Sequence, residues 1–264
     1  MNVDYQDFEY KENKYLRVSA KICVLIKQIS RIGRKEPYVE RAEKKGKQAA
    51  EPRKKSLFRE YLEAAIIAVL LALFIRAFVV QAFKIPSGSM KPTLLIGDHI
   101  LVNKFVYGVK IPFTDHSIFQ IKKPKRGDIV VFKWPRNEKK DFIKRVIGVA
   151  GDTIEIRDDA LYVNNEKIET KYVGMYRDRD LGRAHQYLEF LGGTKHYILD
   201  VYKKNEDFGP QVVSENAIFV MGDNRDQSLD SRYWGFVSLN KLKGKAFIIY
   251  WSWPHWKRLG HLVR

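Results

Sequence analysis

A mainly β, antiparallel-sheet domain preceded by a single transmembrane α-helix is the fold class that this 264-residue sequence predicts. Three observations carry it. Beyond Phe83, short runs rich in β-branched and aromatic residues are bounded by Gly, Asp, Asn and Pro, which is the punctuation of strands and turns. In the same stretch no long run repeats apolar residues at helical spacing. Before it, residues 61–83 carry only Glu63 and Arg76 as charges, and residues 64–75 are uninterrupted apolar residues.

The first sixty residues hold 16 Lys/Arg against 9 Asp/Glu with scattered apolar positions, the composition of a solvated, flexible basic arm. Val18, Ile22, Leu25, Ile26 and Ile29 recur at helical spacing with Lys21, Lys27 and Arg31 between them. That pattern fits a short basic helix on an acidic bilayer, or a local helix with no lipid role.

Residues 61–83, as a helix, span about 34 Å, enough for a hydrocarbon core of ~30 Å. A buried helix of a soluble protein is the alternative. Arg76 lies close enough to the Phe83 end to extend its guanidinium to an interface, so it does not forbid a span. Residues 41–60 contain eight Lys/Arg and residues 84–103 contain two, so the amino-terminal arm is expected in the cytoplasm and the domain after the span outside it. Some sixty residues precede the apolar run, which reads as an uncleaved anchor and not a removable leader. Cys23 is the only cysteine, so no intramolecular disulfide forms, and the thiol falls on the reducing side.

From 84 to 264 the expected strands include 100–102, 129–132, 142–147, 154–156, 161–163, 217–221 and 246–251. Asp158-Asp159-Ala160 and Asn164-Asn165-Glu166 read as turns in a β-ribbon region inserted around 152–220. The whole chain has a net charge of +17, 45% hydrophobic and 13% aromatic residues, which excludes a wholly disordered polymer. The positive excess suits nucleic acid or an anionic membrane. No aromatic-basic recognition motif accompanies it, so no nucleic-acid partner is expected.

Chemistry-bearing residues fall into three segments. Ile85-Pro86-Ser87-Gly88-Ser89-Met90-Lys91-Pro92-Thr93 follows the span directly, and Ser89 lies six residues past Phe83, within about 20 Å of the bilayer edge at ~3.6 Å per residue. A serine hydroxyl needs a base. His99, His116, His185, His196, His255 and His261 stand in no triad context and read as surface or packing histidines, and no Gly-x-Ser-x-Gly elbow or metal-ligand spacing occurs. No metal and no cofactor are expected. A lysine serves as base if burial lowers its pKa. In the second segment, 141–148, strand alternation places Phe142, Lys144 and Val146 on one face and Arg145 on the other. An exposed strand lysine is the other reading of Lys144. In the third, 222–235, Ser228, Asp230 and Arg232 share a side of an extended chain, so a carboxylate-guanidinium pair can fix the loop and leave the hydroxyl to orient a base; an ordinary polar loop has the same composition.

Together with Arg126-Gly127-Asp128-Ile129-Val130-Val131-Phe132, these segments resemble, in order and after an anchor, the boxes of bacterial type I signal peptidases, over about 83–237. The resemblance implies a membrane-bound serine endopeptidase with a Ser/Lys dyad that removes signal peptides from translocated preproteins. It would sit in the bacterial inner membrane as a single-pass protein, catalytic domain on the outer face, with lipid and preprotein signal peptides as partners. Position by position, it implies Ser89 as nucleophile and Lys144 as general base. Ser87 hydroxyl and Ser89 N–H would form the oxyanion hole, Ser228 would hold the Lys144 amine, and Arg145, Asp223, Asp230 and Arg232 would be supporting ion-pair residues. Phe83, Ile85, Met90, Leu94, Val131, Phe142 and Ile143 match positions lining pockets for small residues one and three before the cut. Val149-Ala150-Gly151-Asp152 departs from the commoner Leu-Pro-Gly-Asp, and one span stands where some relatives have two. Trp251, Trp253 and Trp256 near Lys257 and Arg258 suit a bilayer-facing edge or core packing.

Two rivals are weaker. A Ser/Lys autoprotease of the SOS-response type needs an Ala-Gly bond before its nucleophile, whereas Ala150-Gly151 follows Ser89. A membrane-anchored β-domain that only binds a partner would leave a preprotein intact.

Overall fold

Alanine and leucine, both strong helix formers, dominate Leu57–Phe74, which forms helix α1. Tyr61, Leu62, Ile66, Ile67, Val69, Leu70, Leu71, Leu73 and Phe74 are all exposed, and at 100° per residue they occupy every side of the helix. Arg59, Glu60 and Glu63 crowd its first turns, and among the described residues no helix is long and apolar enough to cross a membrane. The helix relaxes into a π-helical turn, Ile75–Val79, and the chain then extends as strand β1, Val80–Lys84. The helical span expected over 61–83 therefore stops at Val79. Residues 80–83 pair instead with the next strand, where β-branched and aromatic side chains favour a pleated surface. The computed structural model describes residues 57–110, 117–119, 121–202, 205–253 and 255–263. The basic arm up to residue 56, with Cys23, and His116 lie outside them.

After β1 a 3₁₀ turn, Gly88–Met90, leads to β2, Asp98–Asn103. A small hairpin of β3, Val109–Lys110, and β4, Ser117–Phe119, precedes β5, Ile129–Trp134, and β6, Asn137–Gly148. Then come β7, Thr153–Arg157, β8, Ala160–Val163, β9, Glu166–Lys167, β10, Thr170–Asp178, β11, Gly182–Leu191, β12, Thr194–Asp200, and β13, Phe208–Val212. Finally β14, Ala217–Met221, precedes the one-turn helix α2, Ser231–Trp234, followed by β15, Val237–Ser238, and β16, Leu242–Ser252.

The principal sheet is antiparallel, in the order β1-β2-β16-β5-β6-β14-β15. Strands β6 and β14 are neighbours in it although β7–β13 lie between them in sequence. Those intervening strands form two further sheets, β13-β7-β8-β9 and β10-β11-β12. Asp158, Asp159, Asn164 and Asn165 all have positive φ, so the β7–β8 and β8–β9 connections are two-residue turns whose twist matches that of the strands they join. Asn and Asp accept that conformation at little cost.

Alternation along β6 divides the core. Phe142 and Val146 pack with Val130, Phe132, Ile218, Val220 and Val237 on one face. Ile143 packs with Phe83, Ile85, Met90, Leu94 and Val131 on the other. Because Val130 lies opposite Lys144 in the β5–β6 register, Lys144 has apolar neighbours along and across the strand.

Candidate active site

The turn Gly88–Met90 presents Ser89, and β6 presents Lys144 from 55 positions later in the chain. Lys144 Nζ donates to Ser89 Oγ at 2.6 Å. The lysine is 3% exposed and the serine 9%. Burial disfavours the charged amine and, against the attraction of Asp230 and Asp223, lowers the Lys144 pKa from 10.5 to about 8. The Phe142 ring lies 5.5 Å from Nζ and is stacked on Trp134. An amine that loses its proton near neutrality, touching a hydroxyl, is able to take the hydroxyl proton. Among the described residues no histidine hydrogen-bonds to Ser89. His196 is buried 3.1 Å from Glu189, as a packing histidine.

The backbone around Ser89 is held by the loop after β14. Asn224 N–H donates to the Ser89 carbonyl at 3.1 Å, and its side-chain amide donates to the Gly88 carbonyl at 3.2 Å. That loop is fixed by two buried ion pairs. Arg145 grips Asp223 with Nε at 2.8 Å and Nη2 at 2.7 Å, and its Nη1 donates to the Gly127 carbonyl at 2.8 Å. Thr93 Oγ1 donates to the same Asp223 carboxylate. Arg232 pairs with Asp230 through Nε at 2.9 Å and with Glu206 through Nη1 at 2.7 Å, and it also reaches the Arg225 carbonyl. Asp230 completes the frame by accepting from Gly222 N–H at 3.0 Å and capping α2.

Ser228 is buried, but among the described residues its hydroxyl has no hydrogen-bond partner, so the bond to Lys144 that the resemblance implies is not formed. The hydroxyl faces Gly222 instead. A Cβ on Gly222 would overlap both Ser228 Oγ and the Ser89 carbonyl oxygen. Gly222→Ala is therefore expected to push the Ser89 turn off its position and lower kcat at least tenfold, measured as turnover per folded molecule. Ser87, two residues before Ser89, is exposed, extended, and makes no capping bond with its side chain.

The seven apolar residues expected to line substrate pockets separate into groups. Phe83 and Ile143 are half-buried at the edge of one cluster, whereas Ile85, Met90, Leu94 and Val131 are buried within it. Met90 and Leu94 have no exposed surface, so they back the wall and do not face a ligand. Phe142 belongs to the opposite cluster, with Trp134 and Trp234. A cavity of about 320 Å³ lies elsewhere, lined by Asp158, Asp200, Glu206, Arg225 and Arg232 among others, and includes neither Ser89 nor Lys144.

Asn224 and Thr93 stand within the segments singled out in the sequence, yet their contacts with the Ser89 carbonyl and Asp223 were not foreseen. Glu206 gave no signal, since it reaches Arg232 from a separate loop.

The chain matches the family model described as "Signal peptidase, peptidase S26" over residues 58–251. It is 40% identical to Signal peptidase I of Pseudomonas fluorescens, covering 79% of this chain and 78% of that protein. It is 40% identical to Signal peptidase I of Pseudomonas aeruginosa over 76% and 75% of the two chains, and 38% identical to that of Aquifex aeolicus over 74% and 84%.

Proposed function

Because the chain belongs to the signal peptidase family, peptidase S26, we propose that its Ser89–Lys144 pair is the catalytic dyad with which it removes signal peptides from preproteins. The chain is a serine endopeptidase, and its substrates are preproteins carrying signal peptides. The 2.6 Å contact between Ser89 Oγ and a lysine whose pKa is lowered to about 8 carries the assignment. Neutral Lys144 accepts the Ser89 proton as Oγ bonds to the scissile carbonyl. Ser87 hydroxyl and Ser89 N–H donate to the resulting oxyanion, each donor contributing about 3 kcal/mol. The lysine then returns its proton to the departing amine, and water hydrolyses the ester left on Ser89.

Phe83 and Ile143, the half-buried members of their cluster, are the walls a short substrate side chain would touch. A large one would meet the packed core behind them, which supports a preference for small residues before the cut.

Helix α1 supports membrane attachment. A helix that exposes apolar side chains on every side has no stable place in water. With the following π turn its residues 61–79 reach about 28 Å, and the excess of Lys/Arg before them supports a cytoplasmic amino terminus with the β domain outside. Since the helix ends at Val79, Ser89 is ten residues beyond it, and the bound on its distance from the lipid loosens to about 36 Å.

The test is the pH dependence of preprotein cleavage by the purified protein in detergent. Only the neutral amine works as base, so kcat/KM should rise with pH through a midpoint near 8 and then level off. A midpoint near that of a free lysine would remove Lys144 from the role.

A further inference from the structure

We infer that Lys91 and Asp178 are positioning residues, a clamp by which the tip of the β10–β11 hairpin holds the turn bearing Ser89. The inference rests on Ser89 being the nucleophile. Lys91 lies two residues beyond it and is only 3% exposed. Its Nζ donates to Asp178 Oδ1 at 2.5 Å and to Asp180 Oδ2 at 3.3 Å. An ammonium group is not buried without such partners, and both come from the hairpin tip, 87 and 89 positions away.

The lysine is also built into the turn itself. Lys91 N–H donates to the Gly88 carbonyl at 3.1 Å, closing the turn around Ser89. Its stem crosses over Gly88 so closely that a Cβ there would stand 3.4 Å from Lys91 Cδ and Cε. Asn224 holds the carbonyls of Gly88 and Ser89, and Lys91 holds the same turn through its own backbone and stem. If the ammonium moves, the stem over Gly88 moves with it.

The anchor for that ammonium is rigid. Asp178 Oδ1 also accepts the backbone N–H groups of Asp180 and Leu181, at 2.9 and 3.1 Å, and Tyr176 hydroxyl lies 3.3 Å from Oδ2. Burial alone would raise the Asp178 carboxyl, but the hydrogen bonds from Lys91 and from the backbone hold it below its ordinary range. Asp180 is largely exposed and contributes less. The hairpin thus acts at a distance: nothing in it touches the reacting atoms, yet it fixes where Ser89 Oγ stands relative to Lys144.

Kinetics of the full chain in detergent on a preprotein test the clamp, with Ser89→Ala as the control for the dyad. Asp178→Asn should lower kcat about tenfold, the scale of a small misplacement of a reacting group. KM should stay within twofold, and the pH midpoint should be unchanged because nothing around Lys144 is altered. Asp178→Glu should recover most of the rate, and Asp180→Asn should lose little. Lys91→Ala, which leaves no unpaired buried cation and is expected to fold, should reproduce the kcat loss. Wild-type kcat in folded Asp178→Asn or Lys91→Ala overturns the clamp. So does a loss seen only in KM, or one that tracks the unfolded fraction. Activity surviving in Ser89→Ala would instead overturn the dyad.

Discussion

Lys144→Met is expected to abolish preprotein cleavage, by at least about 1,000-fold in kcat, and at the same time to make the domain more stable. The two effects share one cause. Lowering the lysine pKa from 10.5 to about 8 means that at neutral pH the fold holds a charge it disfavours by about 3 kcal/mol. Methionine fills similar space without that charge and forgoes only the bond to Ser89, about 1 kcal/mol. The net gain of about 2 kcal/mol corresponds to a rise in Tm of roughly 5 °C for a domain of this size. The sign of its pH dependence follows. Between about pH 8 and 10.5 the unfolded chain binds the proton that the folded protein has released, so wild-type stability rises with pH across that window. The advantage of Lys144→Met fades over the same window and is gone above it. Ser89→Ala should lose cleavage equally without the gain in stability. Thermal melts at pH 7 and pH 11, beside cleavage rates, check both halves. A variant that is inactive and less stable at pH 7 would make Lys144 a structural residue and not a desolvated base.

The sequence made five of the seven strands of the principal sheet legible, β2, β5, β6, β14 and β16, because each contains a short run rich in β-branched or aromatic residues near turn residues; β1 was read as the end of the helix and β15 was not expected. Asp158-Asp159 and Asn164-Asn165 announce their turns by residue type alone. Strands β10 to β12 were much less visible. Their charged and polar residues, such as Lys171, Arg177, Arg183 and Lys195, lie on exposed faces, and exposure removes the alternation that marks a strand. At the site, the alternation of Phe142, Lys144 and Val146 against Arg145 was readable because a strand sends successive side chains to opposite faces. The contacts of Lys91 and Glu206 were not, since each joins loops distant in sequence and leaves no periodic trace. The end of the apolar helix was misplaced by four residues for a related reason. Val80, Ala82 and Phe83 continue the apolar composition around a single Gln81, so composition alone did not mark the change, and pairing with β2 makes these residues strand.

Arg145→Met should act in the opposite sense to its neighbour, with a loss of stability of about 3–5 kcal/mol. Arg145 and Asp223 are each 1% exposed. Burial alone would raise the Asp223 carboxyl, and the Arg145 guanidinium more than reverses this, holding it below its ordinary range. Without the arginine, Asp223 keeps Thr93 but must hold a buried charge with no counter-ion, and the Gly127 carbonyl loses the donor from Arg145. Asp223→Asn takes away the carboxylate that Arg145 grips at two points while the guanidinium keeps the Gly127 carbonyl, with a loss of similar size. Removing both charges together should cost less than either single change, because the penalty lies in an unpaired charge and not in the missing attraction. Denaturant unfolding of the two single variants and the double variant measures this directly; strictly additive losses would show that the pair is not coupled. Asp223 directly precedes Asn224, whose N–H holds the Ser89 carbonyl, so the double variant, though better folded, should still cleave slowly. Two adjacent cations on one strand are thus divided by its alternation: Lys144 is held where its charge is disfavoured and its proton is easily lost, and Arg145 where its charge is fully paired and keeps the frame closed.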